Sequence, residues 1–280
     1  LDTLAYNTHY LGFNANMLAN EMFLDSASLR SSVVSHAKSL GYEVSSPRAP
    51  IAVVNVSLDT SASTKTMSAG TAFTTSVDGT DYQFVTISDL TASNTGSSVP
   101  FDSVNIYEGS YVTTRYTVDT SDVDQTFTLG DANADTSTLT VKVQTSSSDT
   151  STTTYTKATD ITQLSSSSTV YYLQETDSGL YEVYFGDGVV SNAVSDGNIV
   201  ILQYVVTNKS LANGANSFSS PTSIDSVTAV TTTTVSGAIG GAEAETIDSI
   251  KLNAPLDYAS QGRAVTVDDY KTITRKLFPN

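Results

Sequence analysis

Between Leu11 and Leu40 the apolar positions recur at helical spacing. Leu11, Met17, Leu18, Met22 and Phe23 make one such set, with Asn14 near the start of the helix it predicts. Leu29, Val33, Ala37 and Leu40 make a second. Asp25 or Ser26 is placed to cap that helix, and Gly41 to end it in a left-handed C′ conformation. Two helices with a break around Asp25 are therefore expected.

From Ala49 the period changes to two. Val54, Val56 and Leu58 face one way and Asn55, Ser57 and Asp59 the other, as in a half-buried strand. Gly70 to Val77 and Tyr82 to Ile87 flank the turn signal Asp78-Gly79 and predict a hairpin. After a polar stretch from Thr91 to Ser98, strands are expected over Val104 to Val118, Gln125 to Leu129, Thr138 to Thr145 and Thr169 to Glu175, with a loop at Ser146 to Thr154. Tyr181, Val183 and Phe185 alternate before the turn Gly186-Asp187-Gly188. Ile199 to Val206 is apolar on both faces apart from Gln203 and predicts a central strand covered on each side. Asn213-Gly214 marks a turn and Ser226 to Val235 a last strand. Near the end, Ile247, Ile250 and Ala254 fit a short helix stopped by Pro255. Thr266 and Asp269 then form a capping-box-like start, with Val265 and Tyr270 as its staple and Tyr270, Ile273 and Leu277 as its stripe.

These elements predict an α+β, mostly β fold: helical N- and C-terminal segments flank a β body that carries an inserted β domain. The expected divisions are an N-terminal helical segment over 1–48, a central β domain in two parts over 49–96 and 177–240, an inserted β domain over 97–176, and a C-terminal helical segment over 241–280.

Composition narrows the functional classes. Ser and Thr make up roughly three residues in ten. The Thr residues alternate with Val, Tyr and Ile, which favours strands over disorder. With 29 acidic against 13 basic residues the net charge is −16, so a nucleic-acid partner, which requires a basic footprint, is not expected. No run of roughly 20 apolar residues suggests a membrane partner. The absence of cysteine removes disulfides, thiolate metal sites and cysteine nucleophiles. Leu1 lies inside a patterned segment with no initiator Met, so the chain reads as a fragment of a longer protein.

Candidate chemistry is sparse. A zinc hydrolase wants two imidazoles one helical turn apart, but His9 and His36 fall in separate helical segments. No Gly-x-Ser-x-Gly elbow, P-loop or Gly-x-Gly-x-x-Gly occurs. Asp131, Asn133 and Asp135 copy the first ligands of a calcium loop, yet Thr136 and Lys142 stand where the bend glycine and the terminal glutamate belong. Glu243 and Glu245 could pair for acid–base work, although acids at a helix start are commonplace. The expectation is a protein that is not an enzyme, with no catalytic residue, no metal and no cofactor.

Four segments carry a resemblance: GYEVSSPRAPIA from Gly41, YEVYFGDGVV from Tyr181, GNIVILQYVVTNKSLANGANSF from Gly197, and GGAEAETIDSIKLNAPLDYASQGRAVTVDDYKTI from Gly240. Together and in this order they resemble the baseplate J-like family, and within it the baseplate wedge proteins of T-even-type phages. The last segment is the most specific, and the region from Ser97 to Thr176 carries the weaker part of the match.

The resemblance implies a structural subunit of a contractile-tail phage baseplate, located in the virion and assembled in the bacterial host cytoplasm. It further implies homodimers that join into a ring connecting the wedges, a hinge role during sheath contraction, and other wedge proteins as partners. Closing a ring requires two different interfaces per subunit. Leu11, Met17, Met22 and Phe23 are the expected contact at one end, and Tyr270, Ile273 and Leu277 at the other. The rival reading is a β module that grips carbohydrate or another surface through Tyr-rich loops.

Overall fold

A computed structural model of the chain describes residues 2–122, 125–158 and 164–277. The helices are α1 (Asp2–Glu21), α2 (Arg30–Ser39), α3 (Ile247–Ser260) and α4 (Val267–Leu277). The strands are β1 (Ile51–Asp59), β2 (Thr64–Met67), β3 (Ala72–Val77), β4 (Thr80–Val85), β5 (Leu90–Ser93), β6 (Ser98–Glu108), β7 (Ser110–Thr117), β8 (Phe127–Thr128), β9 (Ala134–Gln144), β10 (Thr152–Lys157), β11 (Val170–Glu175), β12 (Tyr181–Phe185), β13 (Ile199–Val206) and β14 (Val230–Ile239). Strand outweighs helix, 38% against 21%, and helices lie at both ends of the chain, so the expected mostly β, α+β class holds. Two compact units are distinguished: a helical unit of residues 1–45, 173–182 and 245–280, and a β unit of residues 46–172 and 183–244.

In the β unit, β1 is the spine of a five-stranded sheet ordered β14-β1-β6-β4-β3. The predicted alternation is met: Val54, Val56 and Leu58 are at most 1% exposed and enter a core with Phe73, Phe84, Phe101 and Ile106. Asp78 (φ 51°) and Gly79 (φ 81°) join β3 to β4. Successive positive φ values are those of the tight hairpin turn whose twist matches its strands. The sequence pattern missed the short pair β2–β5, and β5 runs into the polar stretch read from Thr91 to Ser98.

The expected single strand from Val104 to Val118 is two strands. The chain breaks at Gly109 (φ 123°), where a Cβ would stand 2.1 Å from the Val206 carbonyl oxygen; only glycine fits. β6 thus ends in the five-stranded sheet, while β7 begins a seven-stranded one ordered β7-β13-β9-β10-β11-β12-β8. Just before the break lies Glu108, fully buried. Its carboxylate accepts from Thr207 Oγ1 (2.7 Å), Asn208 N (2.8 Å) and Asn208 Nδ2 (2.7 Å). Those three donors supply the bonds that a buried carboxylate requires, and they account for the Thr-Asn pair that follows β13.

On β13, Val200, Leu202 and Tyr204 are at most 1% exposed. The opposite face is covered less evenly than expected. Val205 and Ile201 are buried, but Ile199 and Gln203 are only half-buried.

In the helical unit, Val33 and Ala37 of α2 pack with Ile250 and Ala254 of α3, all fully buried. Gly41 (φ 77°) ends α2 as predicted, donating to the Lys38 carbonyl at 2.9 Å. The predicted N-cap is corrected. Neither Asp25 nor Ser26 caps α2, because the helix starts later, behind Leu29. Glu21 at the end of α1 does the work instead, accepting from Ser28 N (2.8 Å), Ser28 Oγ (2.7 Å) and Leu29 N (3.3 Å). α3 also runs through Pro255 to Ser260 where a stop was expected. Pro255 removes one hydrogen bond, but Ile250 and Ala254 anchor the turns before it and Gln261 (φ 47°) closes the helix after it. α4 starts with the predicted box: Thr266 Oγ1 accepts from Asp269 N at 3.2 Å, and Asp269 Oδ2 from Thr266 N at 2.7 Å. The two staple residues, Val265 and Tyr270, are exposed.

Candidate functional site

Most of the residues considered for catalysis and metal binding have other work. His36 Nε2 lies 2.9 Å from the Glu21 carbonyl oxygen, and His9 is exposed on α1. Asp131 Oδ1 accepts from Asn133 N at 2.7 Å, a local turn. Asp135 is buried, and its oxygens accept from Ala49 N (2.8 Å), Ser137 N (2.9 Å) and Ser137 Oγ (2.6 Å). Burial pushes its carboxyl above the usual range, opposed by those bonds. Among the described residues no cluster of three His, Cys, Asp or Glu could hold a metal ion, and no helix is long and apolar enough to cross a membrane. Glu243 forms an ion pair with Lys209 at 2.6 Å in the β unit.

Glu245 instead sits at the centre of a polar clasp in the helical unit. Its carboxylate accepts from Tyr42 Oη (2.9 and 3.1 Å), Ser45 N (3.2 Å), Ser249 Oγ (2.7 Å) and Asn253 Nδ2 (3.1 Å). Its backbone carbonyl accepts from Arg30 Nη1 at 2.5 Å. Arg30 also grips Glu175 with two parallel bonds, Nε to Oε1 at 2.7 Å and Nη2 to Oε2 at 2.9 Å. This bidentate geometry is the strong form of the pair. Tyr181 Oη completes the clasp, donating to the Val44 carbonyl at 3.2 Å, with Glu175 Oε2 at 3.5 Å.

The electrostatics of the clasp are those of a fastening. Burial, followed by the Glu175 charge, raises the Tyr181 phenol far above its ordinary value. Burial and then Glu245 do the same to Tyr42. Burial opposes the Arg30 charge, yet Glu175 more than offsets it and the guanidinium is raised. Phenols held so firmly protonated act as donors throughout the physiological range. The clasp joins α2, the segment Tyr42 to Ser45, residues 175–181 and the start of α3. Its members are scattered along the chain, and no spacing rule connects Arg30, Glu175 and Glu245.

The expected contact residues lie largely on open surface. α1 has no buried residue over its whole length. Leu11 is 68% exposed, Met17 42%, Met22 63% and Phe23 66%, and Leu4, Phe13 and Leu18 are exposed beside them. Tyr6 and Tyr10 stack with ring centres 6.3 Å apart. On α4, Tyr270 is 61% exposed and Ile273 half-buried. The side chain of Leu277 lies outside the described residues. Sequence periodicity alone found the apolar positions; that nothing among the described residues buries α1 was visible only in three dimensions.

Residues 113–215 match the family model described as the bacteriophage baseplate wedge protein gp6, third domain. The chain is also 28% identical to the baseplate wedge protein gp6 of Enterobacteria phage T4, over 304 aligned positions that take in 99% of the chain. The chain spans about half the length of that relative, 45% of it. The match runs from end to end and so supports a baseplate wedge protein, as the four sequence segments implied.

Proposed function

We propose that this chain, a baseplate wedge protein by its likeness to gp6, is a structural subunit of a contractile-tail phage baseplate that works by self-association. In this reading it forms dimers that join into a ring connecting the wedges, and the ring serves as a hinge when the baseplate rearranges for sheath contraction. Its partners are copies of itself and other wedge proteins, with no nucleic acid and no membrane, and no catalytic step belongs to it. Its place is the virion tail baseplate, assembled in the bacterial host cytoplasm. The division expected from the sequence, with an inserted β domain over 97–176, is part of the same proposal.

One observation carries the proposal. α1 is 20 residues long, buries none of them, and displays Leu4, Leu11, Phe13 and Leu18 to solvent. In proteins most helical stability comes from packing an apolar face rather than from propensity, and exposed apolar patches mark interaction surfaces. Met22 and Phe23 extend the α1 surface, and Tyr270 and Ile273 of α4 offer a second face for ring closure.

The test is light scattering of the chain across a concentration series, with Leu11→Asp/Leu18→Asp and Ile273→Asp alongside. We expect the mass to rise above the monomer and each variant to lose association while circular dichroism shows it folded. A strict monomer at high micromolar concentration, or variants that stay both folded and equally associated, would refute the proposed surfaces.

A further inference from the structure

On the half-open face of the seven-stranded sheet, three neighbouring strands place a cation, an apolar residue and a second cation in one row. Ile201 of β13 is opposite Arg115 of β7 on one side and Lys142 of β9 on the other. Residues directly opposite across a ladder share a face. The adjacent rows put Thr117, Ile199 and Gln144 above, and Thr113, Gln203 and Thr140 below. The result is a concavity of about 480 Å³ floored by Ile199 and Ile201, walled by Arg115, Lys142, Gln144 and Gln203, and rimmed by Ser147 and Thr150.

The charges here are uncompensated. Arg30, Lys65, Lys209 and Lys271 each meet a carboxylate elsewhere in the chain. Among the described residues, neither Arg115 nor Lys142 does. Arg115 reaches only the Gln144 side-chain oxygen, at 3.5 Å, and Gln144 is itself oriented by donating to the Ser146 carbonyl at 2.7 Å. In a chain with 29 acids and 13 bases, two cations left free on either side of an apolar floor form a local exception to the overall charge.

We propose that this concavity is a docking site for an extended acidic segment of a protein partner, with an apolar residue over Ile201 and a carboxylate on each side. Charge complementarity selects the occupant, and strand geometry sets its spacing. The Arg115 and Lys142 backbones are two strand steps, about 9.5 Å, apart. In an extended peptide, residues i, i+2 and i+4 face one way over about 13 Å. Acids at i and i+4 therefore come within reach of the long Arg and Lys side chains when an apolar i+2 sits on the floor. A nucleic acid fits poorly, since among the described residues no aromatic side chain lines the site for base stacking. The net charge of −16 also repels a long polyanion, whereas a short peptide senses only charges within a screening length of about 8 Å.

The probe is a labelled, acetylated pentapeptide Glu-Ser-Val-Ser-Glu, its Gln-Ser-Val-Ser-Gln counterpart serving as control, titrated into the full chain by fluorescence anisotropy. The glutamate peptide is expected to bind about tenfold more tightly than the control, and Arg115→Gln/Lys142→Gln to abolish that difference. Thr150→Asp, at the exposed rim, keeps both cations and adds a competing carboxylate, so it should weaken binding in the same direction. Equal binding of the two peptides, or indifference to these substitutions, would overturn the site. Displacement by inorganic phosphate at the same affinity would overturn the peptide assignment in favour of a simple anion. A change in self-association on Arg115→Gln/Lys142→Gln would instead make a second copy the occupant. The inference does not depend on α1 or α4, so its failure leaves the self-association reading untouched.

Discussion

At the scale of single residues, the most informative charge is Glu21. Its carboxylate accepts from Ser28 and Leu29 ahead of α2, a helix whose N-cap, Leu29, makes no side-chain bond of its own. The Ser28 hydroxyl and backbone bonds hold its pKa at about 2, against an ordinary 4.5. As pH falls, the unfolded chain takes up this proton first, so the stabilisation is fully present above pH 4.5 and lost on the way down to about 2. Carboxyl NMR should find the Glu21 midpoint in that range, and Glu21→Gln should flatten the acid limb of α2 stability. A midpoint at the ordinary value would refute the cap. Arg30 supplies a second prediction. Arg30→Met strands the buried Glu175 and should cost about 2 kcal/mol, less than a fully buried pair because a third of Arg30 faces water. Adding Glu175→Leu should recover part of it in denaturant melts followed by circular dichroism; additive losses would deny the coupling. Neither contact was legible in the sequence. Glu21 is a long-range cap seven and eight residues ahead of its targets, and Arg30 and Glu175 lie 145 residues apart.

Elements were read well wherever one period ran uninterrupted. β1, the Asp78-Gly79 hairpin, the Gly41 terminus of α2 and the box opening α4 follow from local rules that local sequence satisfies. Misreadings occurred where tertiary packing overrode a local signal. Val104 to Val118 has unbroken strand character, yet the close approach of the Val206 carbonyl makes Gly109 the point of departure between sheets. Pro255 is a helix breaker by intrinsic preference, but the buried Ile250 and Ala254 hold α3 in helical form around it. That balance can be measured. Pro255→Ala should restore a backbone hydrogen bond and stabilise α3 by about 1–3 kcal/mol, raising the melting temperature without altering the helical signal. An unchanged or lower melting temperature would mean that the proline ring itself contributes packing.

For the whole molecule, charge and apolar surface act in opposite directions, and salt separates them. The chain carries a net charge of −16, so copies repel one another at low ionic strength, while in the proposed association the exposed apolar residues of α1 and α4 draw them together. Raising salt shortens the screening length from about 30 Å at 0.01 M to about 8 Å at 0.15 M. Repulsion between whole subunits then fades and burial of apolar surface is left unopposed. Self-association should therefore strengthen with added salt and be abolished by Leu11→Asp/Leu18→Asp at every ionic strength. Binding of an acidic peptide between Arg115 and Lys142 should move the other way, since the same screening removes its attraction. Light scattering and peptide anisotropy over one salt series thus read two surfaces with opposite slopes. If association weakened with salt alongside peptide binding, charge pairing rather than the apolar helix faces would be what joins the copies, and the contact residues assigned to α1 and α4 would have to be abandoned.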